Sequence, residues 1–243
     1  PLLYLLVFFA VPTLIMALAS FRTPGEFGGL APLVDEAGAL DLNVESYARF
    51  VAEPVYAQVF LKSVWYALLT TLACLALAYP LAALIARSAK KYRNLLLLLV
   101  ILPFWSNFLI RIYAWMIILG PQAALARSVN GILAAFGMEP VSLLFSSFAV
   151  LACLVYVHLP FMVLPLYANL EKHDQALLDA AQDLGASAWQ RFWRITFPLS
   201  LPGVYAGAAL VFIPALGMFA IPDILGGPED SLIGNVIKQQ FLE

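Results

Sequence analysis

Charge is scarce in this chain. Only 13 basic and 15 acidic side chains occur in 243 residues, a charged fraction of 12% against a hydrophobic fraction of 63%. Mean hydropathy is +0.90. A soluble fold with so few charges would expose large apolar patches, so the solvent implied here is lipid. Histidine and cysteine occur twice each. Cys74 and Cys153 both lie inside apolar runs, which marks them as small core residues rather than a disulfide or a metal pair. No zinc-ligand spacing, phosphate-cradling glycine loop or nucleophile elbow is written in the sequence. Without clustered His, Cys or paired carboxylates at bilayer depth, a membrane enzyme has no residues to work with. The net charge of -2 carries no signature of nucleic-acid binding.

What the chain has in quantity is long apolar runs. Five stretches, roughly 1–20, 57–86, 95–119, 142–169 and 201–222, reach the ~20 residues needed to cross a hydrocarbon core of about 30 Å. No barrel-type alternation is present, and backbone satisfaction in lipid then requires helices. The expected fold class is all-α, a polytopic transmembrane helical protein. The first stretch opens at Pro1 with no initiator Met, no basic flank and no small-residue cleavage site, so it reads as a spanning helix rather than a signal peptide. The far end stops at a polar segment. The expectation is therefore a single transmembrane domain over 1–243 with both ends trimmed and a sixth helix beyond the last residue.

Loop charge orients the spans. The connector Arg87-Ser-Ala-Lys90-Lys91-Tyr-Arg93 carries cations and no acid, which places it in the cytoplasm. Counting outward puts Phe21–Tyr56 outside, Gly120–Val141 outside, Glu171–Ser200 inside and the Gly226–Glu243 tail outside. The first outer loop holds Glu26, Asp35, Glu36, Asp41, Glu45 and Glu53 against Arg22 and Arg49, and contains TPGEFGG. It reads as an irregular ordered cap whose acidic surface is solvated, the alternative being attraction of cations or of a binding protein.

The inner segment 171–200 breaks the apolar monotony. Asp174 is placed to cap a helix whose apolar stripe is Leu177, Leu178, Ala181 and Leu184, with Gln175, Asp179, Gln182 and Asp183 opposite. Gly185 supplies the left-handed residue that ends it. Ser187 with Gln190 forms a capping box for a second short helix, expected to stop before Pro198. Ala180 and Ala181 allow a close approach. Surface-lying connectors usually carry Lys and Arg toward anionic lipid; this one carries Asp174, Asp179 and Asp183, which suits a protein groove better.

The run LLDAAQDLGASAWQRFWRITFPLSLPG (177–203) resembles the EAA loop of ABC-importer permeases, with Asp179 standing where that family usually has Glu. LPFWSNFLIRIYAW (102–115), VYVHLPFMVLPLYANLEKHD (155–174) and FAIPDILGGPEDSLIGNVIKQQF (219–241) are similar to the spermidine/putrescine permease subfamily. The resemblance implies an ABC type I importer permease of the bacterial inner membrane, contributing half of a polyamine path and no catalysis. It implies two ATPase subunits that use ATP and Mg, a second homologous permease chain and an extracytoplasmic substrate-binding protein. No cofactor is implied for this chain. Docking to the ATPase would fall on Asp179, Ala180, Ala181, Asp183, Leu184, Gly185, Ala186 and Ser187, with Gly185 as pivot.

Three further features are candidates for the path. Arg111 lies inside the third span, past Pro103 and Asn107, and reads either as a gating residue or as a structural charge near a kink. Asp223 closes the fifth span beside Pro222 and the flexible Gly226-Gly227-Pro228. It is a candidate anion at the outer mouth, or a solvated helix end. Trp105, Tyr113 and Trp115 could offer aromatic faces to ammonium groups, or form an interfacial belt. His158 reads as a packed polar residue, and Pro80, Pro103, Pro160, Pro165 and Pro214 as bends in their spans. The alternatives are a permease of the same type for another small solute, or an ion-coupled secondary transporter. The latter would need an acid cluster or matching inverted halves, and neither is evident.

Overall fold

The computed structural model describes residues 2–22, 43–44, 47–48 and 52–242, all of them helix, turn or irregular backbone. The acids and glycines of the first outer loop, Glu53 excepted, lie outside the described residues. The chain divides into two compact units, Pro1–Gln58 and Val59–Glu243. In the first, α1 (Leu2–Leu5) leads through a π-turn at Leu6–Ala10 into α2 (Val11–Ala19). Pro12 sits in the opening turn of α2, where its missing N–H costs nothing. At the end of α2 the Ser20 hydroxyl meets the Tyr47 hydroxyl at 2.6 Å, and Tyr47 stacks on Phe21 at 5.2 Å.

The second unit is built on α3 (Pro54–Arg87, whose first residues belong to the first unit), α4 (Lys90–Ile101), α5 (Phe108–Leu119), α6 (Ala124–Ala135) and α7 (Ser147–Leu170). It continues with α8 (Gln175–Asp183), α9 (Ala188–Arg191), α10 (Phe197–Leu216), α11 (Ala220–Leu225) and α12 (Ile233–Leu242). Thirty-four residues of α3 at 1.5 Å rise make a rod of about 51 Å, longer than a hydrocarbon core, so both its ends reach the interfaces. Its buried stripe, Ala67, Thr71, Cys74, Ala78, Ala82 and Ile85, advances in helical steps of three and four. Small residues dominate because lipid supplies no hydrophobic force between helices and close backbone approach must hold them together. The same logic joins α7 to α10. A Cβ on Gly203 would lie 2.8 Å from the Asn169 Cβ, and one on Gly207 2.6 Å from the Met162 Sδ. Two buried clusters result. One gathers Ile112, Leu119, Val150, Leu154, Ile221 and Leu225; the other joins Cys74, Ala78 and Ala82 to Met162, Leu166, Val204 and Val211.

Two sequence expectations change here. Among the described residues, four helical stretches are long and apolar enough to cross a membrane, at Pro54–Arg87, Phe108–Ala135, Ser147–Leu170 and Ala188–Leu216. The span expected at 95–119 is cut in two: a 3-10 turn at Leu102–Trp105 places Pro103 in its first positions, and the Asn107 side chain caps α5 by accepting from the Leu109 N–H. Phe108–Ala135 itself turns at Gly120, whose backbone is extended. By contrast Pro80, Pro160, Pro165 and Pro214 do not interrupt anything; helix continues through each of them.

Candidate functional site: the coupling elbow and the outer latch

Between α7 and α10 the chain leaves the helical bundle and returns. The Asp174 side chain accepts from the Ala176 N–H and starts α8. Gly185 ends it at φ +81, where the Gly185 and Ala186 amides bond back to the Gln182 and Ala181 carbonyls. Ser187 and Gln190 complete the expected capping box of α9. Arg191 donates to the Gln182 side chain at 2.6 Å and ties α9 back to α8. The second helix does not stop before Pro198. A π-turn at Phe192–Thr196 widens the coil, the Phe197 N–H reaches the Phe192 carbonyl, and α10 runs on through Pro198 in its first turn, where no N–H is required.

None of the apolar stripe is fully covered by the chain itself. Leu184 is 89% exposed, Leu177 50% and Asp179 and Asp183 stand free, while Leu178 and Ala181 are half-buried. Local capping bonds hold the two helices in shape while their outer surface stays open. That surface has the form of a plug.

The elbow and the 87–93 connector share one end of the unit. Arg93 forms an ion pair with Glu171 at the foot of α7 and donates to the Ala86 carbonyl at 2.9 Å. The Glu171 carboxyl is held below its ordinary range, first by the Tyr167 hydroxyl and then, against some desolvation, by Arg93 and Lys90. The same end therefore carries both the cationic connector and the elbow.

The opposite end is locked differently. Asp230, 5% exposed, accepts from the Tyr66 hydroxyl at 2.8 Å, the Ser147 hydroxyl at 2.6 Å and the Gly227 N–H at 2.9 Å. Burial pushes its pKa up, but these donors and nearby Lys62 outweigh it and leave the carboxyl below its ordinary value. Lys62 donates to the Glu229 carbonyl, and the Ser63 hydroxyl accepts from the Ile233 N–H at 2.8 Å. Gly226 and Gly227 are here for close packing rather than flexibility. A Cβ on Gly226 would meet the Pro222 carbonyl at 2.5 Å, and one on Gly227 the Phe145 carbonyl at 2.9 Å. Sequence reading missed Asp230 because its partners are remote in the chain.

Asp223 stands next to this latch. Its carboxylate accepts from the Asn235 amide and pairs with Lys238, whose ammonium also lies 5.9 Å from the Phe219 ring. Asp223 and Asn235 line an open cleft of about 490 Å³ with Phe145, whose backbone is held at φ 57. The three aromatics sit in different settings. Trp105 is 76% exposed on the 3-10 turn, Tyr113 is exposed on α5, and Trp115 packs edge-on to Tyr156 at 5.6 Å. Arg111 lies against Phe104 and Phe108 at 5.1 and 5.8 Å from their ring centres, with Nε and Nη1 buried and without a hydrogen-bond partner. His158 is a packed polar residue, bonded through Nδ1 to the Leu154 carbonyl at 2.8 Å.

The fold is a bundle of apolar helices with a separately capped elbow at its cationic end, the architecture of a multi-pass membrane protein. The chain belongs to the family described as binding-protein-dependent transport system inner membrane component, whose profile matches residues 78–242. It is 42% identical over 241 residues to the spermidine/putrescine transport system permease protein PotB of Haemophilus influenzae, covering 98% of this chain and 80% of that one. PotB of Escherichia coli K12 is 45% identical over 241 residues, with 98% and 83% covered. The inner membrane ABC transporter permease protein YdcU of Escherichia coli K12 is 31% identical over 206 residues, 79% of this chain and 64% of its own. Among solved structures, a bacterial ABC transporter involved in import of the acidic polysaccharide alginate matches with a TM-score of 0.70 at 19% identity, covering 99% of this chain and 81% of that one. A second, in complex with an alginate pentasaccharide-bound periplasmic protein, gives 0.64 at 18% identity, with 98% and 79% covered. At that identity the likeness establishes the fold.

Proposed function

We propose that the chain is the membrane subunit of an ATP-driven importer for polyamines of the spermidine and putrescine type. The observation that carries this reading is identity of 42% and 45%, over 98% of the chain, to permeases described as carrying those substrates. Residues 1–243 act as one permease domain and supply half of the path. ATP and Mg belong to two ATPase subunits, so this chain performs no catalysis and binds no cofactor. A second homologous permease completes the path, and an extracytoplasmic binding protein delivers the solute.

In this reading the ATPase grips the open surface of Asp179, Ala180, Ala181, Asp183, Leu184, Gly185, Ala186 and Ser187. Closure of the motor moves the elbow, and the helices follow as rigid bodies. At the outer mouth, Asp223 is the anion an ammonium group meets. Lys238 already neutralises it, so an incoming ammonium takes the place of the lysine rather than filling a bare site, which keeps desolvation costs low. Trp105, Tyr113 and Trp115 supply aromatic faces farther along, and Arg111, fixed between two rings, acts as a structural or gating charge.

The test is reconstitution of the assembled importer in vesicles with its ATPase and binding protein. Spermidine or putrescine should accumulate inside and stimulate ATP turnover. Stimulation by an unrelated solute, with neither polyamine active, would overturn the substrate while leaving the permease class intact.

A further inference from the structure

The cationic end of the second unit holds a trough between the elbow and the end of α3. Its mouth is a cleft of about 530 Å³ lined by Arg87, Leu178, Ala188, Arg191, Phe192 and Thr196. A second groove of about 440 Å³ shares Arg87, Phe192 and Thr196 and runs deeper, along Leu75, Tyr79, Pro80 and Ala83 to Phe197. The two form one channel that is basic at the interface and apolar at bilayer depth. From Leu75 to Arg87 the helix rises about 18 Å, close to the ~15 Å of one hydrocarbon leaflet.

The two arginines are under-used by the protein. A guanidinium carries five N–H donors; Arg191 makes one side-chain bond, to Gln182, and Arg87 makes none among the described residues. Among those residues no carboxylate pairs with either, since the nearby Glu171 is taken by Arg93. Trp189 and Trp193, exposed beside the mouth, pack edge-on at 5.5 Å. Such aromatics mark headgroup level.

We propose that this trough binds an anionic phospholipid of the inner leaflet. The phosphate lies between Arg87 and Arg191 beside the Thr196 hydroxyl, and one acyl chain follows the groove along α3. Charge complementarity selects this occupant: an apolar protein segment would leave two arginines facing it, whereas a phosphodiester on a hydrocarbon tail matches both halves. The site joins the end of α3 to the first turn after the elbow, so the lipid braces the elbow against the bundle. This depends on the 87–93 connector facing the cytoplasm and is independent of which solute is carried.

The assembled importer, purified in mild detergent, is mixed with phosphatidylglycerol or phosphatidylcholine and examined by native mass spectrometry. Wild type should retain phosphatidylglycerol preferentially. Each of Arg87→Gln and Arg191→Gln should weaken retention by about fivefold, the attraction of one basic residue near an anionic surface, while Arg87→Lys should keep most of it. Ala83→Trp, which fills the groove and spares both arginines, should also lose the lipid. If inorganic phosphate competes as well as phosphatidylglycerol, the site takes free phosphate and the proposal fails. It also fails if wild type shows no preference over phosphatidylcholine, or if a photo-crosslinker at Ala83 captures protein rather than lipid. Lipid retention by wild type and its loss in Ala83→Trp decide the matter even if an arginine variant fails to assemble.

Discussion

The two ends of the second unit are stabilised by opposite means. At the elbow, every bond that sets the shape of α8 and α9 is local, the longest being Arg191 to Gln182 across 9 residues. At the outer end, Asp230 reaches Tyr66 across 164 residues and Ser147 across 83. The elbow is self-contained and presents its apolar side chains to the outside; the outer latch is satisfied internally and presents little. The side-chain and capping bonds of the elbow join residues no more than 9 apart, so they do not draw on distant parts of the chain. A part that closes the far side of the bundle draws on three separate helices.

That contrast can be broken from either side. The largest effect is expected at the latch. Asp230→Ala strands the Tyr66 and Ser147 hydroxyls and the Gly227 amide, and should cost about 3 kcal/mol, read as a lower Tm of the purified complex. The same carboxyl sets an acid limit. Its folded pKa lies below the ordinary value of 3.8, so its contribution is complete above that value and is lost as pH falls through the depressed one. Asp230→Asn should flatten the wild-type loss of Tm in that acid window; an unchanged slope would remove Asp230 as its source.

Gly185→Asp should act at the other end, and on coupling. Nothing lies within 4 Å of a Cβ there, but φ is +81, so a side chain costs about 1 kcal/mol in backbone strain and alters the gripped surface. Uptake should fall roughly tenfold, a loss of about 1.4 kcal/mol in transition-state terms, with insertion unchanged and Tm lowered by only a few degrees. Full transport by this variant would remove the elbow from the coupling role. Asp223→Asn should lower polyamine uptake about threefold near half-saturation, a change of under ~1 kcal/mol, and wild-type uptake there would take Asp223 out of the path. The smallest effect is expected for Gln190→Ala, which removes half of a capping box. It should shift stability by about 0.5 kcal/mol, measurable as increased proteolysis at 185–192 rather than as lost transport.

The same contrast explains what could be read from the sequence. Asp174, Gly185, Ser187 and Gln190 were legible because a cap or a left-handed glycine is decided within a few residues. The apolar runs gave the helical class, since burial in lipid needs only length and composition. Asp230 was invisible because Tyr66 and Ser147 are brought to it by packing. The partner of Asp223 was missed for a similar reason: Lys238 lies a helix away, in a tail that offered no fold of its own until α12 formed. Pro198 misled because a proline after a short helix ordinarily ends it. Here the π-turn before it supplies an extra residue, and the ring sits where the coil has no N–H to lose.

The close seating of Gly203 and Gly207 against α7 has a mechanical consequence. The two legs that flank the elbow touch backbone to side chain with no room for a methyl group, so they have little freedom to slide or twist past one another. They form a clevis: a single stiff fork whose tip is the elbow and whose prongs pass into the bilayer. A load applied at the tip would be shared by both prongs rather than taken up by sliding between them.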